Sequence, residues 1–128
     1  MRILLDTHAF LWWITDDHQL SHRSIELMSD GSNELLFSAV SGWEIAIKAS
    51  LGRLDVPHFL DRFIAEHLSR NQIGVLPIQL SYALRVVALP PLHCDPFDRL
   101  LVAQAQIEGL SLLSPDKTLA QYDVDVVW

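Results

Sequence analysis

One cysteine, Cys94, stands in a chain of 128 residues. A single thiol forms no internal disulfide, which excludes a disulfide-stapled scaffold and makes a reducing cytoplasm the expected compartment. No apolar run reaches the roughly 20 residues that a membrane-spanning helix needs. The opening stretch MRILLDTHAFLWW has Asp6 and His8 inside its apolar run and no small-residue cleavage site after it, so it reads poorly as a signal peptide. Basic residues are scarce, 9 Lys and Arg against 16 Asp and Glu, for a formal net charge of -7. That argues against a broad basic surface that wraps nucleic acid by counterion release. It leaves room for an enzyme acting on nucleic acid, because acids gathered in one cleft hold a divalent cation, which then attracts phosphate. Internal repeats, low-complexity tracts and linkers are missing too. Half of the residues are hydrophobic and 20% are charged, enough for a core and for one domain spanning residues 1–128.

What is present is alternation. Short apolar runs at 2–5 (RILL), 34–37 (ELLF), 73–78 (IGVLPI), 110–113 and 124–128 read as buried strands. Between them lie helical stretches at about 8–14, 21–30, 41–51, 57–70, 79–89 and 97–108, with a short helical turn at about 117–122. Pro57 suits the first turn of its helix, and Leu80, Leu84, Val87 and Ala88 share one side of theirs. Such a pattern predicts an α/β fold, a parallel sheet covered by helices on both faces.

On this frame four acids fall at strand-to-helix junctions. Asp6 ends the first strand, Glu44 lies in the first turn of the helix after the second, Asp98 in the first turn of the helix before the fourth, and Asp116 just beyond the fourth. Helices that run antiparallel to the strands begin at the carboxyl edge of the sheet, where open α/β folds bind ligands. Taken singly, each acid is equally well explained as a helix cap or a dipole partner. Ser41-Gly42-Trp43-Glu44 has the spacing of a capping box, and Glu44 can pair with Lys48. Taken together, four carboxylates in one cleft repel one another and call for protonation or a cation. Hard oxygen ligands suit Mg²⁺ or Mn²⁺, the ions that drive phosphodiester cleavage. Whether the four converge depends on strand order.

Other polar residues weigh less. His93 and Cys94 are adjacent and lack the spacing of a structural zinc site. Asp95 fits either a side-chain turn before its helix or a supporting role among the acids. Arg99 and Lys117 directly follow acids and are read as solvated or as phosphate contacts. His8 lies on a helix surface within reach of the cleft. Phe10-Leu11-Trp12-Trp13-Ile14 carries more aromatic area than one helix face buries, so part of it is expected as a partner surface.

LLDTHAFLWW (4–13), SAVSGWEIAIKASLGRL (38–54), DPFDRLLVAQA (95–105) and LLSPDKTLAQY (112–122) resemble, in this order, the PIN-domain family and within it the VapC-type toxins of type II toxin–antitoxin pairs. The resemblance covers essentially the whole chain. It implies a five-stranded parallel sheet in the order 3-2-1-4-5, which brings the four junctions together. It implies a metal-dependent endoribonuclease using Mg²⁺ or Mn²⁺ and a metal-activated water. The family's acidic quartet carries over onto Asp6, Glu44, Asp98 and Asp116. Asp6 and Asp98 would bind the metal most directly, Glu44 would be a ligand or base, and Asp116 would complete the site. Thr7, Ser38 and Ser114 carry over as hydroxyls that orient carboxylates or water. The resemblance also implies a homodimer and a cognate antitoxin covering a groove near the site.

Two rival readings differ in class. A phospho-receiver domain wants an acidic pair after the first strand, whereas Asp6 is followed by Thr7 and His8. A non-catalytic PIN-like binding module would have the acids as caps only, and its stability would not respond to Mn²⁺.

Overall fold

The computed structural model describes residues 1–128. Five parallel strands, β1 (Arg2–Leu5), β2 (Glu34–Ser38), β3 (Gly74–Leu76), β4 (Ser111–Leu113) and β5 (Val126–Val127), form one sheet in the order β3-β2-β1-β4-β5. The expected topology is therefore the observed one. Six α-helices connect the strands: α1 (Thr7–Ile14), α2 (His22–Ser29), α3 (Ala39–Ser50), α4 (Leu60–Arg70), α5 (Leu80–Arg85) and α6 (Pro96–Glu108), with 3₁₀ turns at Val86–Ala88 and Lys117–Gln121. No helix is long and apolar enough to cross a membrane.

β1 shows why the sheet needs a helical layer on each face. Ile3 and Leu5 point into one core with Phe10, Phe37 and Ile45, while Leu4 points into the other with Val40, Leu101, Val102 and Leu112. Side chains alternate along a strand, so a run with no polar position has two apolar faces to cover. Each fully buried Leu or Ile contributes roughly 1.5–3 kcal/mol relative to exposure.

Register then sets the functional edge. Leu5 pairs with Phe37 on one side and Leu113 on the other, so the next residues, Asp6, Ser38 and Ser114, emerge together at the carboxyl end. The Asp6 N–H donates to the Leu113 carbonyl at 3.0 Å, extending the ladder to the site itself.

Several boundaries differ from expectation. Helix α3 starts at Ala39 because Ser38, still extended, accepts from the Val40 N–H at 3.0 Å and becomes the cap. The Ser41–Glu44 capping box does not form, and Glu44 sits in the second turn. Pro57 lies outside α4, whose first hydrogen bond runs from the Phe63 N–H to the Phe59 carbonyl. The apolar side formed by Leu80 and Leu84 of α5 and Val87 of the 3₁₀ turn after it is exposed: the three are 73%, 62% and 86% accessible. The short helix packs on α6 through Tyr82, whose hydroxyl donates to Glu108 at 2.7 Å and is pushed up to about 12 chiefly by that bond, which turns the leucines outward.

Candidate active site

Eight polar or charged side chains are buried, and of these only Ser24 lies away from the carboxyl edge and its supports; the others are Asp6, Thr7, Ser38, Ser41, Glu44, Gln104 and Ser114. Every buried side-chain nitrogen or oxygen has a hydrogen-bond partner. Burying such groups without partners costs about 1–3 kcal/mol each, so their concentration here requires an organised network.

Asp6 is the N-cap of α1. Its Oδ1 accepts from the Ala9 N–H at 3.0 Å and its Oδ2 from the Ser114 hydroxyl at 2.7 Å. Burial pushes its carboxyl up, and these two bonds oppose the push without cancelling it. Glu44 accepts from the Thr7 hydroxyl at 2.7 Å through Oε1 and from Lys48 at 2.5 Å through Oε2; Ser41 Oγ lies 2.9 Å from the Thr7 hydroxyl.

Asp98 occupies the first turn of α6, which Asp95 caps by accepting from the Phe97 and Asp98 N–H groups at 2.8 and 3.2 Å. The Asp98 carboxylate accepts no hydrogen bond from the rest of the chain, and His93 Nε2 lies 3.4 Å from its Oδ2. Burial, together with the negative charges of Asp95 and Asp6, pushes it up to about 7; Glu44 adds to the effect. Asp116 follows β4 and caps the 117–121 turn through the Thr118 N–H and hydroxyl, at 3.0 and 2.7 Å. Burial is the largest single influence and raises its carboxyl, but the bonds from Thr118 and His93 together outweigh it and hold the carboxyl below the usual range.

A cleft of about 300 Å³ is lined by Asp6, Asp98 and Asp116 with His8, Trp12 and Pro115. Glu44 is not in its wall, but its charge acts on Asp98. The donor set fits a hard divalent cation: several carboxylate oxygens, no thiolate, and one acid, Asp98, with little to offset its charge. A family model for the PIN domain matches residues 3–125.

The chain belongs to the PIN-domain family.

Within that family it is of the VapC type. It is 32% identical to ribonuclease VapC22 of Mycobacterium tuberculosis over 125 residues, 94% of this chain and 91% of that protein. Among solved structures, the fold of this PIN domain is shared with VapBC2 of Rickettsia felis bound to a promoter DNA fragment, with a TM-score of 0.74, 14% identity and coverage of 99% of this chain and 98% of that one. It is also shared with VapBC-1 of nontypeable Haemophilus influenzae, with a TM-score of 0.66, 15% identity and coverage of 99% and 97%.

The remaining expected residues divide. Thr7 and Ser114 each bond one acid of the PIN domain. Ser38 touches none: its hydroxyl donates to Gln104 Oε1 at 2.6 Å and caps α3. Arg99 faces away from the cleft. Its guanidinium donates to the carbonyls of Val86, Leu89, Pro90 and His93 and to the Tyr122 hydroxyl, at 3.0–3.5 Å. Lys117 and Cys94 are exposed. His8 is exposed at the cleft wall with its ring 5.6 Å from that of Trp12. The residue that sequence reasoning undervalued is His93. Its Nε2 lies 3.0 Å from Asp116 Oδ2, inside the acidic cluster. The available signal was its position two residues before the N-cap of α6, a junction of the same kind that marked the acids.

Proposed function

We propose that this PIN domain is a Mg²⁺- or Mn²⁺-dependent endoribonuclease toxin held in check by a cognate antitoxin. The observation that carries the reading is Asp98, a carboxylate beside Asp6 and Asp116 in an open cleft with no strong donor on it. Asp6 and Asp98 would hold the cation most directly and Asp116 would complete the site. Glu44 would serve as a further ligand or as a base toward water, its rotamer fixed by Thr7 and Lys48. The bound ion would supply electrophilic stabilisation of the phosphodiester and an acidified water as nucleophile. Ser114 and the Ala9 N–H keep Asp6 in one orientation, so the site is organised before RNA arrives. The similarity to VapC22 supports RNA as substrate.

A groove of about 420 Å³ adjoins the cleft. Leu11, Ile14, Ile45, Leu54 and Phe63 give it an apolar lining, Lys48 and Arg53 a basic one, and His8 and Trp12 are shared with the acid site. An antitoxin segment laid there would cover the entrance to the acids. Likeness to VapBC assemblies supports an antitoxin as the partner. The exposed row of Leu80 and Leu84 on α5 and Val87 in the turn after it is the face that a homodimer would cover.

The test is cleavage of RNA by the purified chain without antitoxin. Cleavage with Mg²⁺ or Mn²⁺ that stops with EDTA is the expected result. Cleavage undiminished in EDTA, or none with either metal from a folded chain, contradicts the proposal.

A further inference from the structure

His93, Asp98 and Asp116 place one ligand-type atom each within 4.8 Å of one another, and at first sight this is a three-ligand metal site. The hydrogen bonds of the imidazole argue otherwise. The Asp95 backbone N–H donates to His93 Nδ1 at 3.0 Å. An atom that accepts this bond carries no proton, so the ring proton is on Nε2. That N–H donates to Asp116 Oδ2 at 3.0 Å, and Nε2 lies 3.4 Å from Asp98 Oδ2. A protonated Nε2 has no lone pair for a cation.

The surroundings hold this arrangement. The Asp95 side chain turns inward to cap α6, which leaves its own N–H outside the helix to orient the imidazole. Arg99, one residue after Asp98, grips the carbonyls of Val86, Leu89, Pro90 and His93, tying the loop that carries His93 to the helix that carries Asp98. Asp98 and Asp116 belong to different elements, and of the Lys, Arg and His side chains only His93 comes within 4 Å of both carboxylates.

We propose that His93 is a positioning residue of the acid site, donating from Nε2 to Asp116 while packed against Asp98, and so aligning the two carboxylates for a cation that it does not itself ligate. The consequence for the cation rests on the metal-nuclease reading, whereas the state of the ring does not. Partners of this kind, one bond removed from a metal, are worth about 10–100-fold in metal affinity or activity.

The experiment pairs ring ¹⁵N NMR with Mn²⁺ calorimetry. In the full chain, His93 should show a protonated Nε2 and a bare Nδ1 without metal, and should keep both when Mg²⁺ saturates the site. His93→Ala should weaken Mn²⁺ binding about 10-fold and lower kcat for RNA cleavage with little change in KM. His93→Gln, whose amide N–H reaches about as far as Nε2, should recover most of that loss. A proton found on Nδ1, or an Nε2 that loses its proton on Mg²⁺ addition, overturns the proposal, as does a His93→Ala protein with unchanged Mn²⁺ affinity and kcat. Wild-type protein that binds no Mn²⁺ overturns the metal-nuclease reading and the alignment role with it, and the ring nitrogens still report the hydrogen-bond assignment separately.

Discussion

Asp98 is where the molecule carries its least compensated charge, and that has a sign. Its folded carboxyl is raised to about 7, against about 3.9 for an unfolded aspartate. The folded state therefore holds this proton more tightly than the unfolded state. In metal-free protein the resulting stabilisation is fully present below about pH 4 and is lost as pH rises through about 7. The loss amounts to at most about 4 kcal/mol. Asp98→Asn removes the ionisation, so in EDTA its stability should fall less than that of wild type between pH 4 and 8. Urea unfolding across that range checks this. Parallel pH profiles for the two proteins would show that Asp98 is not under electrostatic stress. The caps at this scale were legible in the sequence, because an Asp accepting from an N–H two or three residues on is a local pattern, and Asp6, Asp95 and Asp116 all follow it. The place of His93 was not legible, since its bond to Asp116 spans 23 residues and depends on how two loops meet.

At the scale of elements, Ser38 joins strand to helix. It caps α3 and bonds Gln104, which is fully buried in α6 and also donates to the Pro77 carbonyl at 3.3 Å. Ser38→Ala removes the cap and one partner of a buried amide, so a destabilisation of about 2–3 kcal/mol is expected. Chemical denaturation reads it directly, and a change under 0.5 kcal/mol, about the size of an ordinary surface substitution, would contradict this account. The sequence placed the cap three residues late, at Ser41, because both serines satisfy the local rule and only the end of β2 selects between them. Helix α5 taught the opposite lesson. Its apolar row was correctly seen as one side, but periodicity cannot say whether that side meets this chain's core or another molecule. Leu84→Glu on that row should shift a dimer toward monomer in sedimentation equilibrium, with the circular dichroism spectrum unchanged. A wild-type protein that is monomeric at every concentration would remove this role for α5.

Across the whole molecule, strand order is what turns scattered acids into a site. Alternating apolar runs and helices predicted a parallel sheet, and the junction rule put Asp6, Glu44, Asp98 and Asp116 at one edge. Neither says which strands are neighbours. Likeness to the PIN family supplied the order β3-β2-β1-β4-β5, and the register of β1 between β2 and β4 then sets Asp6 beside Ser38 and Ser114. Glu44 reaches the cluster differently, from the second turn of α3 through Thr7, a path that only the packing of α1 on α3 creates. The central claim is that these acids act together on RNA through a divalent cation. Its most direct test is the single-turnover rate of RNA cleavage by wild type and by folded Asp98→Asn over a Mn²⁺ titration. Wild type should rise to a plateau with Mn²⁺, while Asp98→Asn stays at least about 100-fold slower throughout, as expected for loss of a direct ligand. An Asp98→Asn protein that reaches the same plateau as wild type would contradict the account.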